Sequence, residues 1–226
     1  MAAVLLRQGQ AVDAERAYRD VLKEDPGNPD LHDGLGSALL MQGRARDAME
    51  EFDRAVKMSP KRVSYRVNRG LALIEVGRYK EAEDDFRFAD GSSSPEDRLA
   101  AEINRGRLRQ LQGDYAGAEE QFSAALSREP SSFPARLGRG VARESHGDTE
   151  GAAEDYLEAV RLQPRSAEAN LRLGLALVTL KKAPIGCRYL ERAIEIDPSG
   201  DAGTKARVLL ESTPSPCEKP ASAKTG

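Results

Sequence analysis

Gly113–Pro130, GDYAGAEEQFSAALSREP, contains the pattern Gly-x₄-Ala-x₃-aromatic-x₂-Ala-x₄-Pro, which returns along the chain. Gly113 and Gly147 open two copies that are 34 residues apart, and Gly9 and Gly43 open two more with the same separation. A period of this length indicates a stack of helix pairs, in which each pair buries its apolar face against its neighbours. The other copies run through Gly43, Ala48, Phe52, Ala55 and Pro60, through Gly147, Ala152, Tyr156, Ala159 and Pro164, and through Gly9, Ala14, Tyr18, Val21 and Pro26.

The charge pattern narrows the choice of partners. The 226 residues carry a net charge of -3, and 31% of them are charged, without a basic stripe or an acidic tail. This balance disfavours nucleic acid and anionic membrane as partners. No apolar run approaches the roughly 20 residues that a membrane span needs. The first residues, as written, lack the long apolar segment and cleavage site of a secretory signal.

The anchors resemble those of the tetratricopeptide repeat. Counted from the family start, six units begin near residues 1, 29, 63, 99, 133 and 167, and the match runs to Pro198. The resemblance implies an all-α, right-handed superhelical solenoid of antiparallel helix pairs. Residues 201–211 are predicted to form a capping helix, which completes a solenoid over 1–211. The Pro- and Ser-rich residues 212–226 are predicted to be a disordered tail.

Two kinds of glycine recur at fixed repeat positions. One kind lies inside the first helix, where glycine is unfavourable, so its recurrence predicts a close approach of the second helix. The other kind ends the first helix and predicts a left-handed cap. Repeat six has Lys181 in place of the second kind and is the most degenerate unit. The helix-interior glycines are Gly36, Gly70, Gly106, Gly140 and Gly174, and the turn glycines are Gly43, Gly77, Gly113 and Gly147.

Two arginines occupy a first-helix position where an apolar residue is usual. Arg69 and Arg139 are each followed sixteen residues later by an aspartate, Asp85 or Asp155. Because a half-buried guanidinium needs a carboxylate, this spacing predicts an ion pair within each repeat. The alternative is that the steps from Asn68 to Arg69 and from Asn104 to Arg105 belong to a binding motif.

The sequence contains no recognisable catalytic constellation. His32 and His146 lie at different repeat positions and are expected at the surface or in helix turns. The carboxylates scatter over solvent-facing helix positions, and no glycine-rich phosphate loop follows a strand. No cofactor is therefore expected, and an enzyme, or a regulatory subunit of one, is the alternative class of function.

Two cysteines, Cys187 and Cys217, lie outside any metal-binding spacing. They are separated by 30 residues, and an antiparallel capping helix would return the tail towards repeat six. A disulfide closing such a loop would contribute on the order of 3–4 kcal/mol in the chain-entropy model. The alternative is one buried helical thiol and one unrelated exposed thiol.

The family resemblance implies a partner-binding groove along the first helices. More than half of the corresponding residues are apolar, which predicts a protein or peptide segment with an apolar face as the partner. For Val67, Ile103, Leu137 and Leu171, packing against the neighbouring first helix is an equally weighted alternative. The predicted groove consists of Ser37, Leu40, Met41, Val67, Asn68, Leu71, Ile74, Ile103, Asn104, Arg107, Leu137, Val141, Glu144, Leu171, Arg172, Leu175 and Val178.

The polar clamp with which some members of the family bind chaperone C-termini is incomplete here. Asn68 and Asn104 match one clamp position, but the lysines, the arginine and the other asparagine are replaced. Their positions hold Asp33, Ser37, Pro134 and Gly138. A chaperone co-factor role is therefore disfavoured.

These features favour a non-catalytic adaptor or assembly factor of bacterial type. In size and repeat number the chain also resembles the outer-membrane lipoproteins that assist secretin assembly for type IV pili. That resemblance implies a lipid anchor upstream of Met1 and a periplasmic or outer-membrane location. Without such an upstream signal, a cytoplasmic scaffold is expected.

Overall fold

A computed structural model describes residues 1–212 and Cys217, and the regular structure of these residues is entirely helical. Apart from Ser212 and Cys217, the predicted tail of residues 212–226 lies outside the described residues. A short 3₁₀ helix, Ala89–Gly91, follows the sixth α-helix. The α-helices are α1 (Ala2–Arg7), α2 (Ala11–Glu24), α3 (Pro29–Met41), α4 (Ala45–Met58), α5 (Val63–Glu75), α6 (Tyr79–Phe88), α7 (Pro95–Leu111), α8 (Tyr115–Arg128), α9 (Phe133–Ser145), α10 (Thr149–Leu162), α11 (Ala167–Thr179), α12 (Ala183–Ile196) and α13 (Asp201–Glu211).

The helices pack as two compact units, Met1–Leu108 and Arg109–Gly226. Within each unit, helices that follow one another in sequence pack together, such as α3 with α4 and α11 with α12. α13 occupies the range predicted for the capping helix and packs against α11 and α12. Its Ala202 and Ala206 join the buried cluster around Leu171 and Leu190, so α13 covers apolar surface of repeat six.

The helix-interior glycines Gly36, Gly70, Gly140 and Gly174 lie directly against large side chains of the second helix. A Cβ placed on Gly70 would lie 2.4 Å from the Phe86 ring, and one on Gly140 would lie 2.6 Å from Tyr156. Both rings are fully buried. The prediction of a close approach at these glycines is confirmed, and the ring occupies the space that a side chain would fill.

The turn glycines adopt the left-handed backbone that the sequence predicts. The φ angle is 74° at Gly43, 77° at Gly113 and 98° at Gly147. Lys181, at the equivalent place in repeat six, has φ 60° and is the single non-glycine with positive φ among the described residues. Repeat six therefore keeps the turn geometry with a residue that disfavours it.

In the first unit, the predicted pairing of Arg69 with Asp85 is confirmed. Nε and Nη2 of Arg69 donate to the two carboxylate oxygens of Asp85, at 2.7 and 2.6 Å. Nη1 reaches back to Asp53 on α4 at 2.8 Å, and Arg66 lies 3.3 Å from Asp85. The Asp85 side chain is only 3% exposed. These contacts form an arginine ladder that joins consecutive repeats.

The second unit repeats this arrangement around Asp155, which is 2% exposed. Arg139 again binds both carboxylate oxygens, at 2.8 and 2.7 Å, as predicted. Arg143 donates to Asp155 at 3.0 Å and to Glu119 of the preceding repeat at 2.7 Å, and Arg136 lies 3.3 Å from Asp155. A single buried carboxylate therefore meets three guanidinium groups.

The expectation that His32 lies at the surface is wrong. His32 is 6% exposed, its Nδ1 lies 2.6 Å from Glu51, and its Nε2 lies 3.1 Å from the carbonyl oxygen of Pro26. Arg66 and Arg136 occupy the same repeat position, and they likewise contact the carbonyl of the proline six residues earlier. The His32 side chain is buried because this repeat position contacts the end of the previous repeat. His146 is exposed, as expected.

A disulfide joins Cys187 of α12 to Cys217, with their Cα atoms 5.9 Å apart. Cys187 is buried, and α13 lies between the two cysteines in sequence. The bridge therefore closes a covalent loop that contains the capping helix, which limits the conformations of this segment when it unfolds.

Replacing Lys181 with glycine should stabilise the protein by about 0.5–1 kcal/mol, because glycine removes the strain of the left-handed backbone. The greater conformational entropy that glycine gives the unfolded chain offsets only part of this gain. Urea denaturation followed by circular dichroism measures the change. Lys182→Gly is the matched control, since Lys182 has φ -99°. An equal gain from both substitutions would show that strain at Lys181 is not the cause.

Asp85→Ala should destabilise the protein by about 3 kcal/mol, because it leaves the partly buried Arg69 and Arg66 without their shared carboxylate. Glu81→Ala serves as the control, since Glu81 forms an exposed pair with Arg78 and should leave the unfolding free energy unchanged. Equal effects of the two substitutions in chemical denaturation would contradict a structural role for the ladder.

Candidate protein-binding surfaces

In the first unit, the predicted groove residues divide into a partly exposed set and a buried set. Leu40, Leu71 and Ile74 are half-buried, and Met41 is 54% exposed. These four residues lie on α3 and α5, which contact each other, and are called the first wall. The wall presents apolar side chains to solvent beside the packed core of the unit.

The remaining apolar groove residues of the first unit belong to the core. Val67 is 5% exposed and Ile103 is 8% exposed, so neither presents a surface to a partner. Asn104 is also buried, and Arg107, which is exposed, donates to its side-chain oxygen at 3.4 Å. For Val67 and Ile103 the structure thus agrees with the alternative that they pack against neighbouring helices.

In the second unit, four predicted residues form a half-buried apolar surface, called the second wall. Leu137 and Val141 of α9 pack against the cluster around Tyr156. Leu175 and Val178 of α11 pack against the cluster that includes α13. Leu171 lies deeper, at 3% exposure, and belongs to the core.

The two polar residues predicted in the second unit are held by internal contacts. Glu144 accepts a hydrogen bond from the hydroxyl of buried Tyr156 at 2.7 Å, and burial raises the pKa of that hydroxyl. Arg172 donates to Glu144 at 3.3 Å and to Glu168 at 2.5 Å. Since two carboxylates surround one guanidinium, this patch does not attract an acidic ligand.

In the first unit, Asn68 is also engaged internally. Its amide nitrogen donates to both carboxylate oxygens of Asp33, at 2.9 and 3.1 Å. Burial raises the pKa of Asp33 to about 6, against the opposing effect of the Asn68 hydrogen bond. Nearby, Tyr65 donates to Asp30 at 2.5 Å. Asn68 therefore binds a neighbouring carboxylate, and Arg69 beside it binds Asp85, so neither side chain is left free for a ligand.

Within residues 1–212 and Cys217, no group of three or more His, Cys, Asp or Glu side chains is placed to hold a metal ion. In the same part of the chain, no helix combines the length and the apolar character needed to cross a bilayer.

Helix pairs joined by left-handed turns, with small residues at their contacts and partly apolar first-helix faces, define a helical repeat protein of the interaction type. Family models described as tetratricopeptide repeat match residues 5–66, 103–164 and 143–201. The chain therefore belongs to the tetratricopeptide repeat family. Proteins built from this repeat are generally non-enzymatic interaction scaffolds.

Solved structures share this fold. PilW, described as a widely conserved type IV pilus biogenesis factor, superposes with a TM-score of 0.79 and 19% identity, covering 91% of this chain and 94% of PilW. PilF of Pseudomonas aeruginosa gives 0.73 and 19%, covering 92% and 93%. YrrB, described as a repeat protein with an unusual peptide-binding site, gives 0.56 and 17%, covering 85% and 98%. No curated protein matches the chain by sequence. At these identities the likeness shows the fold alone.

Asp33→Asn should change how stability depends on pH. In the unfolded chain Asp33 ionises near pH 3.8, whereas the fold keeps its proton to about pH 6. As the pH rises from 4 to 6, the free energy of unfolding of the wild-type protein should therefore fall by about 1–2 kcal/mol relative to that of the variant. This range allows for partial exposure of the carboxylate. Urea denaturation across this range measures the difference. A constant difference would contradict the raised pKa.

Proposed function

We propose that the chain is a non-catalytic scaffold in which each unit holds an apolar-faced segment of a partner protein against its own wall. The supporting observation is that each unit keeps apolar side chains partly exposed at the first-helix positions. Leu71 in the first unit and Val141 in the second occupy the same repeat position. Such surfaces take amphipathic helices or extended segments whose hydrophobic side chains act as anchors.

The polar groups beside the walls favour apolar contact as the main source of affinity. Asn68 and Arg172 already bind carboxylates of their own units. Their partners Asp33, Glu168 and Glu144 are acidic groups beside Asn68 and Arg172. An acidic C-terminal peptide of the chaperone type would meet these carboxylates, so the proposed segment is neutral or basic on its polar side.

The finer proposal is a role in type IV pilus assembly. It is supported by the resemblance to PilW and PilF, each of which matches this chain over more than 90% of both lengths. Under this proposal the partner segment belongs to a pilus assembly protein such as the secretin. A lipid anchor upstream of Met1, holding the chain at the outer membrane, is part of the same proposal.

Leu71→Asp and Val141→Asp should each reduce partner binding at least tenfold, because a carboxylate would face the partner's apolar anchors. Binding is measured by biolayer interferometry with purified pilus secretin subunits. Met58→Asp and Val208→Asp are the controls, since these residues are exposed apolar side chains outside both walls. Circular dichroism verifies folding, and Leu71→Ala provides a milder variant.

Unchanged binding in both wall variants would refute the walls as the partner site. Failure of the wild-type chain to bind any pilus component, combined with normal surface pili in a strain lacking the gene, would refute the pilus role. The wider scaffold proposal would then be tested by comparing the proteins captured by the wild-type chain with those captured by Leu71→Asp and Val141→Asp. It predicts partners that the wild-type chain captures and the two variants do not.

A further inference from the structure

The space between consecutive repeats is filled in two different ways within the second unit. Between α8, α9 and α10 it is occupied by the arginine ladder, in which Arg139 and Arg143 meet Asp155 and Glu119. Long guanidinium side chains fill this space, and each has a carboxylate partner. The result is a closed, polar contact between the repeats.

Thirty-four residues later the same positions carry apolar side chains. Leu173 and Leu177 occupy the repeat positions of Arg139 and Arg143. Tyr189 occupies the repeat position of Asp155. Shorter side chains leave the space open, because leucine lacks the length of arginine and Tyr189 makes no ion pair. The substituted pairs are Arg139 with Leu173, Arg143 with Leu177, His146 with Leu180, Asp155 with Tyr189, Glu119 with Ala153, Ser123 with Leu157 and Gly151 with Ile185.

The opened space is a cleft of about 280 Å³ between α10, α11 and α12. We call it the leucine cleft. Ile185 at its mouth is 51% exposed and extends the apolar lining of the cleft to the solvent. Its apolar lining consists of Leu157, Leu173, Leu177, Leu180, Ile185 and Tyr189.

Charged groups on the two sides of the leucine cleft are unpaired within the described residues. Glu150 and Glu154, one helical turn apart on α10, line one side and are exposed. Lys182 lies on the other side and is also exposed. Glu119, which Arg143 matches in the preceding repeat pair, is replaced here by Ala153, so Glu150 and Glu154 are the carboxylates beside this cleft. The unpaired carboxylates therefore offer a complementary site to a basic side chain.

The leucine cleft is separate from the second wall, although both use α11. The wall takes Leu175 and Val178, whereas the cleft takes Leu173, Leu177 and Leu180, which project from another side of the same helix. Its volume lies just below the range of small-molecule pockets, which suits a few inserted side chains rather than an enclosed ligand.

We propose that the leucine cleft is a second docking site, which receives a protein segment with two apolar anchors and a lysine or arginine directed at Glu150 and Glu154. The anchors would fill the space that the arginine ladder fills in the preceding repeat. The basic residue would pair with the two exposed carboxylates beside the cleft. The second unit would then bind one segment at its wall and another at this cleft.

The test uses the full chain and a phage-displayed random dodecapeptide library. Peptides are selected on the wild-type chain alone, and their binding is then compared with that of Ile185→Asp, which alters an exposed residue at the cleft mouth. Affinities of synthetic copies are then measured by fluorescence polarisation. Selected peptides should carry two apolar residues three or four positions apart and a nearby lysine or arginine.

Ile185→Asp and Leu177→Arg should weaken the selected peptides at least tenfold, because one places charge at the mouth and the other restores an arginine of the ladder. Glu154→Gln should weaken binding of these peptides several-fold. The Glu154→Lys variant should instead prefer peptide copies that carry glutamate in place of the lysine. The wall variants Leu71→Asp and Val141→Asp should leave these affinities unchanged. That last result separates failure of this site from failure of the walls.

Several results would overturn the proposal. One is that no peptide is enriched on the wild-type chain. Another is that the enriched peptides bind Ile185→Asp as tightly as wild type or prefer acidic residues. Circular dichroism of every variant excludes unfolding as the reason for weaker binding.

Discussion

The helix pairs that contain Gly70 and Gly140 each depend on a large side chain that lies where the first helix has no side chain. Gly70 lies against Phe86 and Gly140 against Tyr156, at distances that leave no room for a Cβ. The ring fixes how closely the two helices approach, and it is fully buried in doing so. Once this separation is set, Arg69 can reach Asp85 and the next repeat can pack against the pair. Any enlargement at the glycine would displace all of these contacts.

The recurring anchors made the helices, the turns and the Arg–Asp pair within each repeat predictable, because each depends on residues at fixed spacing. His32 was missed because a single histidine shows no period of its own, and its role appears only beside Arg66 and Arg136. The buried Val67 and Ile103 were placed in the groove because a repeat position tells which helix side a residue occupies. It does not tell how closely a neighbouring helix covers that side, which depends on side-chain sizes in both repeats.

Repeat six shows that apolar residues can take the place of the buried ion pair in a solenoid repeat. Replacing a buried ion pair by apolar residues is often neutral or stabilising, since the desolvation of charge is avoided. Leu173 and Tyr189 in place of the arginine and aspartate fit this principle. The same repeat tolerates Lys181 in a left-handed turn and receives cover from α13. The end of the array is therefore the place where departures from the repeat pattern cost least.

The bond between Cys187 and Cys217 also determines how the chain responds to mechanical force. Tension applied beyond Cys217 passes through the disulfide into α12, and the peptide segment that contains α13 carries none of it. The capping helix would stay in place while α12 is loaded. A chain anchored through its C-terminal end would thus transmit a pull directly into repeat six, and its terminal helix would be the last element to sense it.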